Sequence, residues 1–380
     1  MNAIIGPEIA RELGLSAAGL GLLTAIYFFA FAVFQLPLGV LLDRYGPRRV
    51  NATLLLVAAC GGAWFALGQT AAELTAARAI IGLGVSGCLM SAFSAFALWY
   101  PPERIATMNG VAFASGMLGA VVATVPLEML LRVLHWREVF AGIVALNLAV
   151  SLLLYLAVPE RTATQRGESV VAQLRGFTAL ARDAAFWRLA LCIGASQAAA
   201  VSLATLWVAT WLRDVAGYTP AAVARALLAF SIAMLLGYVG FGRAADARVR
   251  SGRSTLPLLA GGVAAASVCL ALLALGVRTG ALALWCLFFS FSTAVVLAYS
   301  LFSRRYPRHM VGRVNTALNV FVFIGMFSGQ AAVGLLLSLW PQTAAGYAPA
   351  AYPWALGMLW LTQCAGLAWL WSGRRLLAAG

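Results

Sequence analysis

The sequence predicts an all-α protein that crosses a membrane many times. Three observations carry this prediction: the composition, the length of the apolar runs and the placement of the arginines. Hydrophobic residues make up 63% of the 380 residues and charged residues 10%, whereas soluble domains contain about 25% charged residues. The mean hydropathy is +0.91. Lipid offers no hydrogen-bond partner to the backbone, so apolar runs of about 20 residues are expected to form helices. A soluble globular domain is therefore excluded.

Eleven apolar runs are long enough to be membrane helices. Short polar connectors separate them, and glycine and proline are frequent inside them, which membrane helices tolerate. The predicted helices cover residues 17–42, 50–68, 72–97, 107–131, 139–158, 186–211, 220–243, 256–276, 281–302, 314–340 and 353–370.

The arginines predict the orientation of the chain. The sequence contains no lysine, so its formal charge of +14 comes from arginine. A nucleic-acid partner is excluded, because the arginines lie in separate short connectors rather than in one basic stripe. If the turn at residues 44–49 is cytoplasmic, nineteen arginines lie on the inner side and six on the outer side. The positive-inside rule then predicts a multi-pass protein of the cell (inner) membrane with a cytoplasmic C-terminus.

The sequence contains no pattern typical of a catalytic, metal or cofactor site. The two histidines, His135 and His309, lie in opposite connectors, and the six cysteines lie in apolar runs without disulfide or metal-ligand spacing. A phosphate-binding Gly-x-x-x-x-Gly-Lys-Ser/Thr loop needs a lysine, which the chain lacks. We therefore predict that the protein is not an enzyme, holds no metal or cofactor, and is not driven by ATP.

The most informative motif is the polar turn between the first two apolar runs. It reads Gly-x-x-x-Asp-Arg-x-Gly-x-Arg-Arg. An inner-face turn needs arginines in any case, but this does not account for its aspartate and two glycines. The motif resembles the loop between the second and third helices of the major facilitator superfamily (MFS) of secondary transporters. Its residues in this sequence are Gly39, Asp43, Arg44, Gly46, Arg48 and Arg49.

The resemblance implies an MFS fold of two pseudo-symmetric helical bundles with a conformational switch at this turn. Asp43 is expected to lie against the positive N-terminal end of the helix that opens near Val314. Asp246 would mirror it against the helix that opens near Thr107. Contacts of this kind exist only when the inner face is closed, so they would bias one side of an alternating-access equilibrium.

Internal repetition supports two related halves. At an offset of 203 residues, Gly242 and Asp246 match the first glycine and the aspartate of the motif, although Ala247 stands where the first copy has an arginine. At an offset of 206 residues, Asn315 matches Asn109. Such near-constant spacing is expected of a duplicated bundle.

The predicted domains are an N-terminal bundle at residues 1–158, a cytoplasmic linker at 159–185 and a C-terminal bundle at 186–380. Within the linker, residues 170–180 could form an amphipathic helix on the membrane surface, and a plain flexible linker is the alternative. The repeat leaves the helix at 186–211, the seventh of the family, without a counterpart in the first half, so we infer that the first family helix is missing from this sequence. Either the start codon has been assigned too late, or the protein has eleven spans.

A second family feature is Arg-x-x-x-Gly-x-Gly, formed here by Arg78, Gly82 and Gly84. It resembles the fourth-helix motif of the superfamily. A charge inside a span costs about 2.5–3.5 kcal/mol on insertion scales, so Arg78 is expected to face a polar cavity or a partner. The alternative is that its side chain extends to the membrane surface. The glycines would let a neighbouring helix approach closely.

Polar residues near mid-span are candidates for a substrate cavity, although each could instead form a hydrogen bond between helices. Apart from Arg78 these regions hold no charge, so no central carboxylate is available as a proton carrier unless the absent first helix supplies one. An arginine without such a partner suggests either an anionic substrate or a carboxylate on that helix. The candidate cavity residues are Tyr27, Ser91, Gln197, Ser202, Ser290, Ser292, Thr293, Asn319 and Gln330.

These observations predict a secondary active transporter that moves a small solute by alternating access, coupled to an ion such as the proton. Its expected partners are an unknown small molecule, the lipid bilayer and protons, without nucleic acid, and we expect a monomer. The alternative is a transporter-like membrane sensor that binds its ligand without moving it. Uptake of a small organic anion and efflux of an apolar compound both remain open.

Overall fold

The apolar runs form α-helices, because a helix pairs its backbone polar groups within one segment. The computed structural model describes residues 9, 12–13, 17–122, 129–131, 133–159, 178, 180–340 and 347–373. Its helices are α1 (Ala17–Val33), α2 (Gln35–Tyr45), α3 (Pro47–Leu67), α4 (Ala71–Val85), α5 (Cys88–Trp99), α6 (Pro102–Val122), α7 (Trp136–Ala157), α8 (Ala184–Ser202), α9 (Val208–Asp214), α10 (Pro220–Arg250), α11 (Leu256–Ala274), α12 (Ala281–Ser292), α13 (Leu297–Arg305), α14 (Val311–Leu337) and α15 (Tyr352–Ser372).

Two predicted helices of the first half are broken. The first bends by 46° between residues 26–33 and 35–45. Pro37 accounts for this bend, since its ring cannot donate a hydrogen bond to the carbonyl four residues earlier. The third predicted helix is divided into α4 and α5 at Ser86 and Gly87, and such glycine and serine pairs are common sites of helix kinks.

Two predicted helices of the second half change their winding. A π-helical turn, Leu203–Trp207, joins α8 to α9. A 3-10 turn, Thr293–Val296, joins α12 to α13. Such changes in winding are frequent at functional or strained positions. The hydrophobic pattern does not reveal them, because the residues on both sides stay apolar.

Two helix starts that matter for the site lie earlier than predicted. The helix α6 begins at Pro102 rather than near Thr107, and α14 begins at Val311 rather than near Val314. Proline is favoured in the first turn of a helix, because its missing N–H would have no intrahelical acceptor there. The polar residues at these starts therefore belong to the helices themselves.

The chain forms two compact units, and each takes a short segment from the other half of the sequence. Unit 1 comprises Met1–Trp99, Ser115–Gly176 and Tyr306–Ala317, and unit 2 comprises Tyr100–Ala114, Phe177–Arg305 and Leu318–Gly380. The start of α14 thus belongs to unit 1 and the start of α6 to unit 2. The division predicted at 1–158, 159–185 and 186–380 stays a prediction, and most of that linker lies outside the described residues.

Each unit has its own apolar core. In unit 1, α3 packs against α4 and α7, and α1 packs against α4. The rings of Phe65, Trp136 and Phe140 meet in this core. In unit 2, α15 packs against α8 and α11, while α12 packs against α10 and α11. Trp211 and Trp285 are in edge-to-face contact there, with ring centroids 5.5 Å apart.

Eight helical stretches of the described chain are long and apolar enough to cross a membrane, or nine if the bent pair of residues 26–45 counts as one span. The other two predicted spans, 107–131 and 353–370, overlap the helices Pro102–Val122 and Tyr352–Ser372, which are not among these candidates. The architecture is therefore that of an all-helical, multi-pass membrane protein.

Candidate functional site

The first candidate site joins the end of α2 to the start of α14 within unit 1. We call it the Asp43 site, after the carboxylate at its centre, with Gly312 and Arg313 as its donors. The Oδ1 atom of Asp43 accepts a hydrogen bond from the Gly312 N–H at 2.8 Å. The Oδ2 atom accepts from the backbone N–H of Arg313 at 3.2 Å and from its Nε at 2.7 Å. The carboxylate therefore binds two backbone donors and one cation.

The interactions of the Asp43 carboxylate with its donors are strong because they are buried. The side chains of Asp43 and Arg313 are only 4% and 3% exposed. The first N–H groups of a helix have no intrahelical acceptor and carry a partial positive charge, which the carboxylate satisfies. Arg313 also donates from Nη2 to the carbonyl of His309 at 2.7 Å. Removing one member of a buried charge pair costs about 3–5 kcal/mol, because the other charge stays buried.

Glycines allow the two helices to approach closely at the Asp43 site. A Cβ atom at Gly39 would lie 2.8 Å from the Cα of Arg313 and would also collide with the Thr316 hydroxyl. A Cβ at Gly312 would collide with the Asp43 carboxylate. Any larger residue at either position would push the helices apart and lengthen these hydrogen bonds.

Gly46 joins α2 to α3 as a single non-helical residue. Its φ is 81° and its ψ is 158°, a backbone region open essentially to glycine alone. Its N–H donates to the carbonyl of Leu42 at 3.0 Å. The motif therefore needs this glycine for its turn, independently of any role in function.

The three arginines of the motif have different surroundings. Arg44 and Arg49 are exposed, as residues of an inner-face turn can be. Arg48 is half-buried, donates from Nη1 to the carbonyl of Val158 at 3.2 Å, and places its guanidinium 4.8 Å from the ring centroid of Tyr155. Arg48 thus ties the motif to the end of α7.

The second candidate site joins α10 to the start of α6 within unit 2. We call it the Asp246 site, with Ala106 and Thr107 as its donors. Asp246 is 2% exposed. It accepts from the Ala106 N–H at 3.1 Å and from the Thr107 N–H at 2.9 Å, and the Thr107 hydroxyl also bonds to it. A Cβ at Gly242 would lie 2.8 Å from both the Ala106 carbonyl oxygen and the Thr107 Cα.

Arg78 lies in α4 and is 6% exposed. Its guanidinium carbon lies 4.5 Å from the ring centroid of Phe65 and 5.7 Å from that of Phe140. Within the described residues no carboxylate forms an ion pair with it, and its Nε has no hydrogen-bond partner. Cation–π contacts of this kind contribute about 0.5–2 kcal/mol. They fall short of what a carboxylate partner could contribute to a buried charge.

The glycines of the Arg78 motif are sites of close helix packing. A Cβ at Gly82 would collide with the backbone of Tyr27 in α1, and one at Gly84 would collide with the backbone of Ala58 in α3. Both contacts are too tight for any side chain. The motif therefore holds the helix that carries Arg78 firmly against its two neighbours.

The candidate cavity residues do not converge on one described pocket. Three hydroxyl groups donate to carbonyls of their own helical stretch: Ser202 to Ala198, Ser292 to Phe288, and Thr293 to Ser290. A Cβ at Gly237 would collide with Ser290 and Thr293, so these two residues lie in a helix contact rather than in an open cavity.

The other five candidates have mixed surroundings. Ser91 is buried, and its hydroxyl has no partner in the described chain. The Asn319 Oδ1 accepts from the Tyr299 hydroxyl at 3.2 Å, while the carbonyl of Gln330 accepts from Trp207 Nε1 at 3.3 Å. Gln197 is buried, and the Tyr27 ring lies 5.1 Å from that of Phe28. Their role in binding substrate stays a prediction.

Two sets of residues could not be recognised from the sequence. Arg313 looks like one more inner-face arginine, and only its position two residues after the start of α14 points to Asp43. The other set is the aromatic group in unit 2, where Phe113 stacks on Tyr238 with centroids 4.8 Å apart and lies 6.2 Å from Tyr299. Within the described residues there is no group of three or more potential metal ligands.

The chain matches the family model of the Major Facilitator Superfamily over residues 1–330. A probable sulfoacetate transporter of Cupriavidus necator is 25% identical over 151 residues, which are 40% of this chain and 35% of that protein. The nitrite extrusion protein of Bacillus subtilis is 25% identical over 215 residues, 56% of this chain and 52% of that protein. These matches span about a third to a half of each relative.

Among solved structures, the fucose:proton symporter FucP of Escherichia coli has the same fold, with a TM-score of 0.72 at 17% identity. The alignment covers 96% of this chain and 94% of that one. Both relatives named above are transporters rather than enzymes, which agrees with the prediction that the chain is not an enzyme.

Proposed function

The chain belongs to the Major Facilitator Superfamily, and from this membership we propose that it is a secondary active transporter of a small anion. It would work by alternating access in the cell (inner) membrane, as a monomer with a cytoplasmic C-terminus. The single observation that carries the choice of an anion is Arg78, a buried guanidinium that forms no ion pair in the described chain. The names of two curated relatives, which specify sulfoacetate and nitrite, support the same class of substrate.

The physical argument for an anion is the cost of burying an unpaired charge. An uncompensated charge inside a membrane protein is expensive, and such residues usually mark a binding site or a pathway. The aromatic rings of Phe65 and Phe140 orient the guanidinium of Arg78 but do not neutralise it. A carboxylate, sulfonate or oxyanion of the substrate would supply the missing negative charge, and a planar guanidinium can bind two of its oxygens at once.

The two aspartate sites would supply the conformational step. Asp43 and Asp246 each bind the N–H groups near a helix start, and these bonds would break when the inner face opens. Each site therefore stabilises the inward-closed conformation, and a substrate would shift the equilibrium only through its different affinity for the two conformations. Coupling to a proton gradient is part of the proposal and would supply the driving force.

The test is accumulation of labelled anion by purified protein in proteoliposomes with an imposed proton gradient. Sulfoacetate and nitrite are the anions to use, and fucose serves as a neutral solute. We expect gradient-dependent accumulation of at least one anion and none of fucose. Binding of an anion without accumulation would instead identify a membrane sensor, and accumulation of fucose alone would contradict the choice of an anion.

Arg78→Gln sharpens this test, with Arg225→Gln as its control. Arg225 is an exposed arginine of α10, outside the sites described above. Loss of a charge-assisted hydrogen bond costs about 1.5–3 kcal/mol, so we expect the Arg78 variant to bind anion about 10- to 100-fold more weakly. The control should bind normally. Equal affinities for the two variants would remove Arg78 from the binding site.

A further inference from the structure

Two asparagines that occupy matching positions in the repeat have buried side chains without partners. Asn109 in α6 and Asn315 in α14 are both 0% exposed. Within the described chain, neither the Nδ2 nor the Oδ1 atom of either residue has a hydrogen-bond partner. Most buried amides are hydrogen-bonded, and these two exceptions lie 206 residues apart, which is the offset of the repeat.

Each asparagine lies beside one of the aspartate sites. Asn315 follows Gly312, a donor of the Asp43 site, by three residues, and Asn109 follows Ala106, a donor of the Asp246 site, by three residues. Residues three apart lie on the same face of a helix. Each amide is therefore buried on the face whose N–H groups the carboxylate holds.

The cost of this burial depends on conformation. An amide buried without a partner loses its hydrogen bonds to water and gains none in return. If the helix start moved away from its aspartate, water could reach the amide and the cost would disappear. The asparagine therefore opposes the carboxylate, since the two groups favour opposite positions of the same helix start.

We propose that Asn109 and Asn315 are a matched pair of destabilising groups that promote release of the two helix starts from Asp246 and Asp43. The inference rests on the proposed function, because release of these starts is the step that would open the inner face. A carboxylate that binds a helix start and an arginine would otherwise hold one conformation too strongly. A transporter must populate both conformations, so their free energies must be close to each other.

Backbone hydrogen exchange of the full-length protein in nanodiscs measures this effect directly. The segments to follow are 306–317 and 100–114, which contain the N–H groups bound by Asp43 and Asp246. An isosteric apolar residue removes the cost, so Asn315→Leu should slow exchange in 306–317, and Asn109→Leu in 100–114, by about 5- to 100-fold. Unchanged or faster exchange in both variants would overturn the proposal.

Gln363→Leu is the matched control. Gln363 lies in α15, is also 0% exposed, and has no partner for either side-chain atom in the described chain, but it is not beside an aspartate site. Its replacement should leave exchange in both segments unchanged. A general effect of removing any buried amide would slow exchange there too and would count against the proposal.

A second variant and the absence of substrate separate the effect of the asparagines from a folding failure and from a failure of the proposed transport function. If either leucine variant fails to fold, Asn→Val at the same position also replaces the amide by apolar atoms, with less added bulk, and should slow exchange in the same segment. Exchange is measured without substrate, so it reports on the asparagines whether or not the protein accumulates an anion. Absence of accumulation by the unmodified protein would contradict the proposed function alone.

Discussion

The Asp43 and Asp246 sites make the same backbone contact but use different side chains beside it. Both use an aspartate, a glycine four residues before it, and the N–H groups of two consecutive residues. At an offset of 206 residues, however, Thr107 stands where the Asp43 site has Arg313. One carboxylate therefore has a buried cation as its partner, and the other has a hydroxyl. The comparison teaches that the repeat preserves the geometry of the contact while the charge is free to change.

The position along the helix is the same, although the winding differs. A 3-10 turn, Arg308–Met310, leads directly into α14, so Gly312 and Arg313 are the fifth and sixth residues of the helical stretch Arg308–Leu337. Ala106 and Thr107 are the fifth and sixth residues of α6, which is α-helical from Pro102. The buried arginine therefore makes the Asp43 site the stronger of the two, and substitutions can test this order.

The largest effect is expected from Asp43→Asn. It removes the carboxylate that pairs with the buried guanidinium of Arg313, at a cost of about 3–5 kcal/mol to the Asp43 site. We expect transport in proteoliposomes to fall to background while membrane insertion stays normal. Normal uptake by this variant would contradict a role for the Asp43 site.

Arg313→Thr makes the Asp43 site resemble the Asp246 site. The carboxylate keeps its two backbone donors, so the expected loss is smaller, about 1–3 kcal/mol. Hydrogen exchange in residues 306–317 should become about 5- to 100-fold faster. If exchange there did not change, the arginine would not distinguish the two sites.

Asp246→Asn should have a smaller effect than either change at the Asp43 site. The amide oxygen can still accept one hydrogen bond, and Asp246 pairs with no buried arginine in the described chain, only with the charge of the exposed Arg250, so we expect a cost of about 1–2 kcal/mol. The readout is exchange in residues 100–114 together with the transport rate. A loss as complete as that of Asp43→Asn would show that the two sites are equivalent.

The smallest effect concerns Glu12, which accepts from Trp136 Nε1 at 2.7 Å and pairs with Arg137. Partial burial raises the pKa of Glu12, but bonds from Trp136 and Arg137 and the charges of Arg137 and His135 outweigh it. The pKa therefore lies below its ordinary value of 4.5. Because the folded pKa is the lower one, the stabilisation is present above pH 4.5 and is lost as the pH falls through the folded pKa.

Glu12→Gln measures this contribution. The pair is partly exposed, so the variant should lose less than about 1 kcal/mol at pH 7. Thermal unfolding of the two proteins should become equal in acid, below the folded pKa. A difference that persists or grows there would show that the ion pair is not its source.

The helices and their order could be predicted from the sequence, because apolar runs of this length have one stable solution in lipid. The turn at Gly46 and the positions of Asp43 and Asp246 near helix starts follow a motif that carries its own geometry. The interruptions at Leu203–Trp207 and Thr293–Val296 could not be predicted, since they change the winding of the helix without changing its hydrophobicity.

The bonding partners of the charged and polar side chains at these sites could not be predicted from the sequence. Arg313 could not be assigned to Asp43, because 270 residues separate the two and an inner-face arginine needs no special explanation. The hydroxyl groups near mid-span could not be assigned either, because a serine or threonine can bond to its own helix as readily as to a ligand.

The single-residue joint at Gly46 has a mechanical consequence. With one non-helical residue between them, α2 and α3 have few torsion angles with which to change their mutual angle, and the conformation at the joint is one that other residues avoid. A tilt of α2 that withdrew the carboxylate from α14 would therefore carry α3 with it. The Asp43 carboxylate and the arginines of the motif would therefore move together with α2 and α3 as one rigid body.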